Sequence, residues 1–321
     1  MNEMQSIATW WMWLGFGLFV IAMLSIDMFA LGRKGAHKVS VKEALVWSLI
    51  WFTLALLFAG ALWTWLDYTL GRTIADTKTM EYLTGYLLEK TLAMDNIFVF
   101  VMLFSYFTVP IEYQKRVLVF GVLGAIVLRA LMILLGAWLI AEFHWVLYLF
   151  GAFLLITGIK MFVFADKEPN LEENPFLNWL RRHMRITDTY HEDKFWISKN
   201  GIRWFTPMFL VLVLVEFSDV IFALDSIPAI FAITSDPFIV FTSNIFAILG
   251  LRALYFLLAD MADRFHLLKY GLAVVLMFVG TKMLIVEWFK VPVTISLAVI
   301  IAVLGISILL SLKSSQAKKI S

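Results

Sequence analysis

The chain has 321 residues, of which 62% are hydrophobic and only 16% charged, with a mean hydropathy of +0.87. That is too apolar for a soluble globular protein, where the apolar share is nearer half. It contains no cysteine, which excludes disulfide exchange, thiolate metal sites and iron–sulfur ligation. The net charge of +2 gives no reason to expect a nucleic-acid partner.

Nine apolar runs of about 20 residues, each long enough to cross a bilayer, fall at 10–31, 44–66, 82–107, 117–140, 146–164, 205–233, 238–259, 268–288 and 293–312. They predict an all-α polytopic membrane protein built as a single transmembrane domain over 1–321. The first run is too long for the apolar core of a signal peptide and lacks a basic leader and a small-residue cleavage site, so it is expected to stay as an anchor. Basic residues mark alternate loops: Arg33, Lys34, Lys38 and Lys42; then Lys115 and Arg116; then the long segment 166–204; then Arg264 and Lys269; and finally Lys313, Lys318 and Lys319. The positive-inside rule therefore predicts an outside N-terminus and a cytoplasmic C-terminus.

The segment 166–204 is the only long hydrophilic stretch and reads as a cytoplasmic connector. Asn174-Pro175 predicts the start of an amphipathic helix whose Arg181, Arg182 and Arg185 could lie against anionic lipid. Asn200-Gly201 between short apolar flanks predicts a hairpin.

Three landmarks recur in the same order. EKTLAMDN, from Glu89 to Asn96, is echoed 130 residues later by DVIFALDS, from Asp219 to Ser226. Arg129-Ala-Leu returns as Arg252-Ala-Leu after 123 residues, and Gly158-Ile-Lys160-Met161 as Gly280-Thr-Lys282-Met283 after 122. Spans three to five (82–164) and six to eight (205–288) thus form two three-helix units. The odd number of spans in each predicts that they run through the membrane in opposite senses, as an inverted repeat. The two N-terminal spans (10–66) and the last (293–312) lie outside it and are expected to brace it.

An ionised side chain at the centre of a membrane helix is penalised by roughly 2.5–3.5 kcal/mol on insertion scales. Matched acids at such depth therefore mark a site. Lys90, Lys160 and Lys282 lie close enough to span ends to snorkel, which leaves Arg129 and Arg252 as charge-balancing bases for Glu89, Asp95, Glu216, Asp219 and Asp225. The excess is acidic, so a cation is the expected counter-ion. Asp95, Asn96, Asp225 and Ser226 are the central candidate ligands, Glu89 and Asp219 complete or gate the site, and Glu216 and Asn244 are secondary candidates. The histidines, His37, His144, His183, His191 and His266, all fall in loops or at span ends. An oxygen-only site suits Mn2+, Ca2+ or Mg2+ over copper or zinc.

Residues six apart on a helix differ by about 120° around its axis. Glu89 and Asp95 can share a direction only if the helix unwinds between them. Pro228 is expected to free a carbonyl beside Asp225. The glycines Gly121, Gly124, Gly151, Gly158 and Gly280 are expected to serve close helix packing.

The segments EKTLAMDNIFVF, VEFSDVIFALDSIPA (Val215 to Ala229) and LKYGLAVVLMFVGTKMLIVE resemble the TerC family of integral membrane proteins. The length, the added first two spans and the loop resemble its Alx branch. The resemblance covers essentially the whole chain. It implies Mn2+ export across the bacterial inner membrane, and it carries associations with tellurite resistance and an older redox-modulator label. The expectation is therefore a secondary transporter, not an enzyme, with no permanently bound cofactor and Mn2+ as its cargo. Protons are the expected exchange partner, because carboxylates vacated at low dielectric favour protonation. Two rivals stand beside it: an intramembrane hydrolase built on an aspartate pair, and a non-transporting factor that supplies metal to, or stabilises, exported and membrane proteins.

Overall fold

The computed structural model describes residues 6–32, 40–143, 145–164, 175–199, 201–258 and 267–320. Its helices are α1 (Trp10–Gly32), α2 (Val41–Leu70), α3 (Arg72–Tyr106), α4 (Ile111–Glu142), α5 (Val146–Val163), α6 (Pro175–His183), α7 (Pro207–Phe231), α8 (Pro237–Leu249), α9 (Leu251–Leu258), α10 (Leu268–Leu284) and α11 (Val293–Ile320). The two strands are β1 (Trp196–Lys199) and β2 (Ile202–Phe205). Each apolar run has helix in its place, with α8 and α9 sharing the seventh. Among the described residues, α2, α4, α5, α7 and α11 are each long and apolar enough to cross a membrane, and the bent pair α8–α9 makes a sixth. The protein is an all-α integral membrane protein.

The two sides of α4 show how these helices sort their residues. Leu131, Leu134, Leu135 and Trp138, each more than half exposed, recur at helical spacing on one face and present hydrocarbon to the lipid. Arg129, Ile133, Gly136, Ala137 and Ile140 are buried on the other.

Helices α5 and α10 approach almost backbone to backbone. A Cβ added to Gly158 would stand 2.9 Å from the Ala273 carbonyl oxygen, and one added to Gly280 would stand 2.7 Å from that of Gly151. Neither fits, so only glycine permits this approach, as in other small-residue membrane interfaces. Gly158 and Gly280 stand 122 residues apart in the chain, and so do Gly151 and Ala273. Each of the two contacts is therefore the other with the units exchanged.

The N-terminal pair packs on α8 through aromatic rings. Phe58 lies 5.0 Å from Phe246 and 5.2 Å from Tyr82, and Phe16 lies 5.7 Å from Phe246. Such pairs add about 0.5–1.5 kcal/mol each beyond simple burial. The Tyr82 hydroxyl donates to the Ala55 carbonyl at 3.2 Å, so the buried ring has its polar atom satisfied. At the start of the chain Asp236, the N-cap of α8, accepts from the backbone N–H groups of Phe238 and Ile7, both at 2.9 Å.

Two expectations are corrected and one open condition is decided. The third helix begins at Arg72, ten residues before the apolar run, because Gly71 alone joins it to α2. Gly71 has φ 91°, a conformation glycine adopts without a Cβ clash, and its N–H closes on Leu66 at 3.0 Å. No unwinding occurs between Glu89 and Asp95, since α3 is continuous. Nor does Pro228 interrupt α7: it lacks the N–H that would bond the Leu224 carbonyl, yet the helix runs on for three residues to Phe231. The break lies instead at Gly250, where α8 and α9 meet at 41°. A side chain there would collide with the Lys90 ammonium at 2.7 Å and with Trp51 at 3.1 Å.

Beyond the membrane, α6 starts at Pro175 and ends at His183. The hairpin pairs Trp196 with Phe205 and Lys199 with Ile202, and Gly201 turns it at φ 72°. Asn174 and Asn200 lie outside the described residues, as do His37, His144 and His266.

Candidate functional site

Helical spacing decides which acids meet. Glu89 and Asn96, seven apart on α3, share a face, as do Asp219 and Ser226 on α7. All four are buried, and they converge on Arg129 of α4, which is itself 1% exposed. Its Nη1 donates to Glu89 Oε1, to Ser226 Oγ at 3.2 Å and to Asn244 Oδ1 at 2.9 Å. Its Nη2 reaches Asp219 Oδ1 at 3.3 Å, and Asn96 Nδ2 donates to the same oxygen at 3.3 Å. One guanidinium thus gathers side chains from α3, α7 and α8.

The cluster leaves oxygens unused. Glu89 Oε2, Asn96 Oδ1, Asp219 Oδ2 and Asp225 Oδ1 are buried with no hydrogen-bond partner. Buried acceptors are ordinarily satisfied, so these four oxygens are open to a further donor or cation, as the buried Arg129 Nε is to an acceptor. A cavity of about 340 Å³ adjoins two of these residues, Asn96 and Asp225, and is walled also by Arg129, Ser226 and, from α5, Thr157 and Lys160. Thr157 is the side chain that interacts with Asp225.

The remaining candidates are placed as follows. Asp95 lies on α3, but its side chain is outside the described residues. Glu216 packs its carboxylate onto Gly124, where a Cβ would overlap it, and its Oε2 is buried without a partner. Arg252 is buried and shares with Asp219, Gly121 and Phe100 a narrow gap between α4 and α7. Asn244 points its carbonyl oxygen at Arg129 while donating to Val240 of its own helix at 3.2 Å. Among the described residues, no three acidic or imidazole side chains stand together as a ready metal group.

Two features lie beyond the sequence reading. Thr157 is a hydroxyl on a largely apolar helix, with no counterpart in the second unit, where Val279 stands 122 residues on. Lys90 does not snorkel: its ammonium donates to the Ala247 carbonyl at 3.1 Å, at the C-terminal end of α8. There it meets carbonyls released by the bend at Gly250 and the negative end of the helix dipole. Lys282 likewise turns inward, donating to Ser296 of α11 at 3.1 Å.

The helices, their lipid-facing surface and the buried charged cluster define a polytopic integral membrane protein with a polar centre. More narrowly, the profile of the integral membrane protein TerC family matches residues 74–319, and the chain belongs to that family. It is 56% identical to a Salmonella typhi protein and 55% identical to one from Escherichia coli K12, over 96% of each chain. Both are named Alx, in a name that provisionally assigns them the role of membrane-bound redox modulator. An uncharacterized membrane protein of Myxococcus xanthus, STKORF319, is 48% identical over 98% of this chain and 96% of its own. No solved structure matches.

Proposed function

We propose that this protein is a secondary transporter that exports a divalent metal ion, foremost Mn2+, across the bacterial inner membrane by alternating access. The observation that carries the reading is the set of four buried, unpartnered oxygens on Glu89, Asn96, Asp219 and Asp225, beside a cavity that reaches Asp225. Carboxylate, amide and hydroxyl oxygens are the ligands that hard divalent cations take. Asp95 and Ser226 join this set by their places beside Asn96 and Asp225. The redox role in the relatives' name has no thiol to work through here, since the chain has no cysteine.

Arg129 is the resident cation of the state described. It neutralises Glu89 and Asp219 while Asp225 faces the cavity. Metal entering beside Asp225 competes with the guanidinium for the same acids, and Arg252 and protons take up the balance when it leaves. Helix in each of the nine apolar runs supports nine spans, and the exchanged contacts of Gly158 and Gly280 support two inverted units, 82–164 and 205–288. In that topology Lys160 and Phe164 lie at the cytoplasmic mouth of the cavity.

The orientation has a direct check in a chain that lacks cysteine. Ser40, Thr73 and Ser198 are all exposed. Single cysteines at 40 and 198 should be shielded from an impermeant thiol reagent in intact cells, and one at 73 should react. Labelling of 40 and 198 with protection of 73 would invert the topology. The function itself is tested with purified protein in liposomes loaded with a Mn2+-sensitive dye. Protein-dependent Mn2+ flux without any other component is expected. Its absence would favour a factor that supplies metal without carrying it across.

A further inference from the structure

At the opposite side of α7 from the charged cluster, a second cavity of about 560 Å³ lies between the inner end of α3, helix α6 and the start of α7. Its lining is mostly polar and includes two opposite charges, Arg181 and Asp188. Neither is in an ion pair among the described residues. The Arg181 guanidinium, exposed at the mouth of the cavity, lies over the Phe107 ring at 6.0 Å, an attraction that leaves its charge unneutralised. The floor is built from the end of α3. Thr108 ends α3 at φ 50°, a region that β-branched residues seldom occupy. Tyr190 donates its hydroxyl to the Phe107 carbonyl at 2.6 Å; burial pushes that hydroxyl up to about 12, so it remains a donor at physiological pH.

The cavity sits where lipid headgroups would lie. Phe176 of α6 stacks on Phe217 of α7 with ring centroids 4.1 Å apart, and Phe217 begins an exposed apolar stripe that continues through Ile221 and Leu224. Trp179, 53% exposed, stands beside Phe176 on α6 and stacks on His183. An aromatic belt of this kind marks the membrane boundary, and the arginines of α6 follow it directly. An acyl chain lying along the α7 stripe would bring its headgroup to the cavity.

We infer that this cavity binds a phosphoethanolamine headgroup, its phosphate on Arg181 and its ammonium on Asp188, presented by a membrane phospholipid. A guanidinium and a separate carboxylate, both exposed to the same polar cavity, match a ligand that carries both charges. Arginine is the side chain best suited to phosphate, and a primary ammonium can donate to a carboxylate where a quaternary one cannot. A purely anionic headgroup would leave Asp188 opposed to like charge. The inference is independent of the transport reading, because none of these residues belongs to the Arg129 cluster.

The test uses the full chain, purified and delipidated in detergent, with lipid retention followed by native mass spectrometry. Phosphatidylethanolamine should bind roughly tenfold more tightly than phosphatidylglycerol or phosphatidylcholine, the scale of one charge-assisted hydrogen bond. Arg181→Gln should weaken retention of all three lipids by weakening the phosphate contact, and Asp188→Asn should erase the preference for ethanolamine over glycerol and choline. Arg203→Gln, on the hairpin outside the cavity, should leave binding unchanged, as should Asp225→Asn. Equal retention of the three lipids, unaltered selectivity in Asp188→Asn, or unaltered retention in Arg181→Gln would overturn the assignment. Soluble phosphoethanolamine competing as well as the lipid would overturn the membrane source and give the cavity to a free zwitterion.

Discussion

Asp225→Asn should reduce Mn2+ flux in proteoliposomes to the level of empty vesicles while the protein still folds and inserts. A carboxylate and a divalent ion about 4 Å apart attract by roughly 8 kcal/mol at an effective dielectric of 20, and an amide of the same shape offers only a dipole in exchange. The fold has little to lose: Asp225 Oδ1 has no hydrogen-bond partner, and an amide of the same shape can keep the contact to Thr157. Asp95→Asn is expected to behave in the same way. Glu43→Gln, in the first turn of α2, should leave flux unchanged. Normal flux in Asp225→Asn would remove this residue from the ion path.

Arg129→Gln should fail differently, through stability. Its guanidinium is the shared partner of Glu89 and Asp219, and both carboxylates are buried. Removing one member of a buried charge cluster costs about 3–5 kcal/mol, because the remaining charges keep their desolvation penalty and lose their compensation. The purified variant should therefore melt well below the parent. Adding Glu89→Gln to it should recover a substantial part of the loss, since a neutral amide no longer needs a counter-charge. A double variant no more stable than Arg129→Gln alone would show that Glu89 is not the coupled partner.

Much of this architecture is legible from hydropathy, because a bilayer forces backbone groups to bond within each segment and helices follow. The Pro175 helix start and the turn at Gly201 are local chemistry and were equally readable. Packing across the bundle was not. The break lies at Gly250, packed against Lys90 and Trp51, which are remote in sequence, whereas α7 runs on for three residues past Pro228, the obvious breaker. The extension of α3 back to Arg72 is hidden because Arg72, Asp76, Lys78 and Glu81 depress any hydropathy average, although they sit on a helix with its own contacts. Trp63 Nε1 donates to Asp76 Oδ1 at 2.8 Å, and the Arg72 guanidinium lies 4.3 Å above the Trp63 ring. In the candidate site, spacing on α3 and α7 pairs Glu89 with Asn96 and Asp219 with Ser226. That Arg129 would draw both pairs to one guanidinium, and that Thr157 would face Asp225, requires the folded bundle.

Adjacent residues on α3 hold different helices: Glu89 is bound to Arg129 of α4, and Lys90 to the end of α8. Successive helical residues point about 100° apart, so α3 works as an axle with two spokes, one engaged in each half of the molecule. It cannot turn about its axis far enough to free one spoke without straining the other. Rotation of α3 would then release both halves together, and rapid-mixing fluorescence after a metal jump should record that release as one exponential phase.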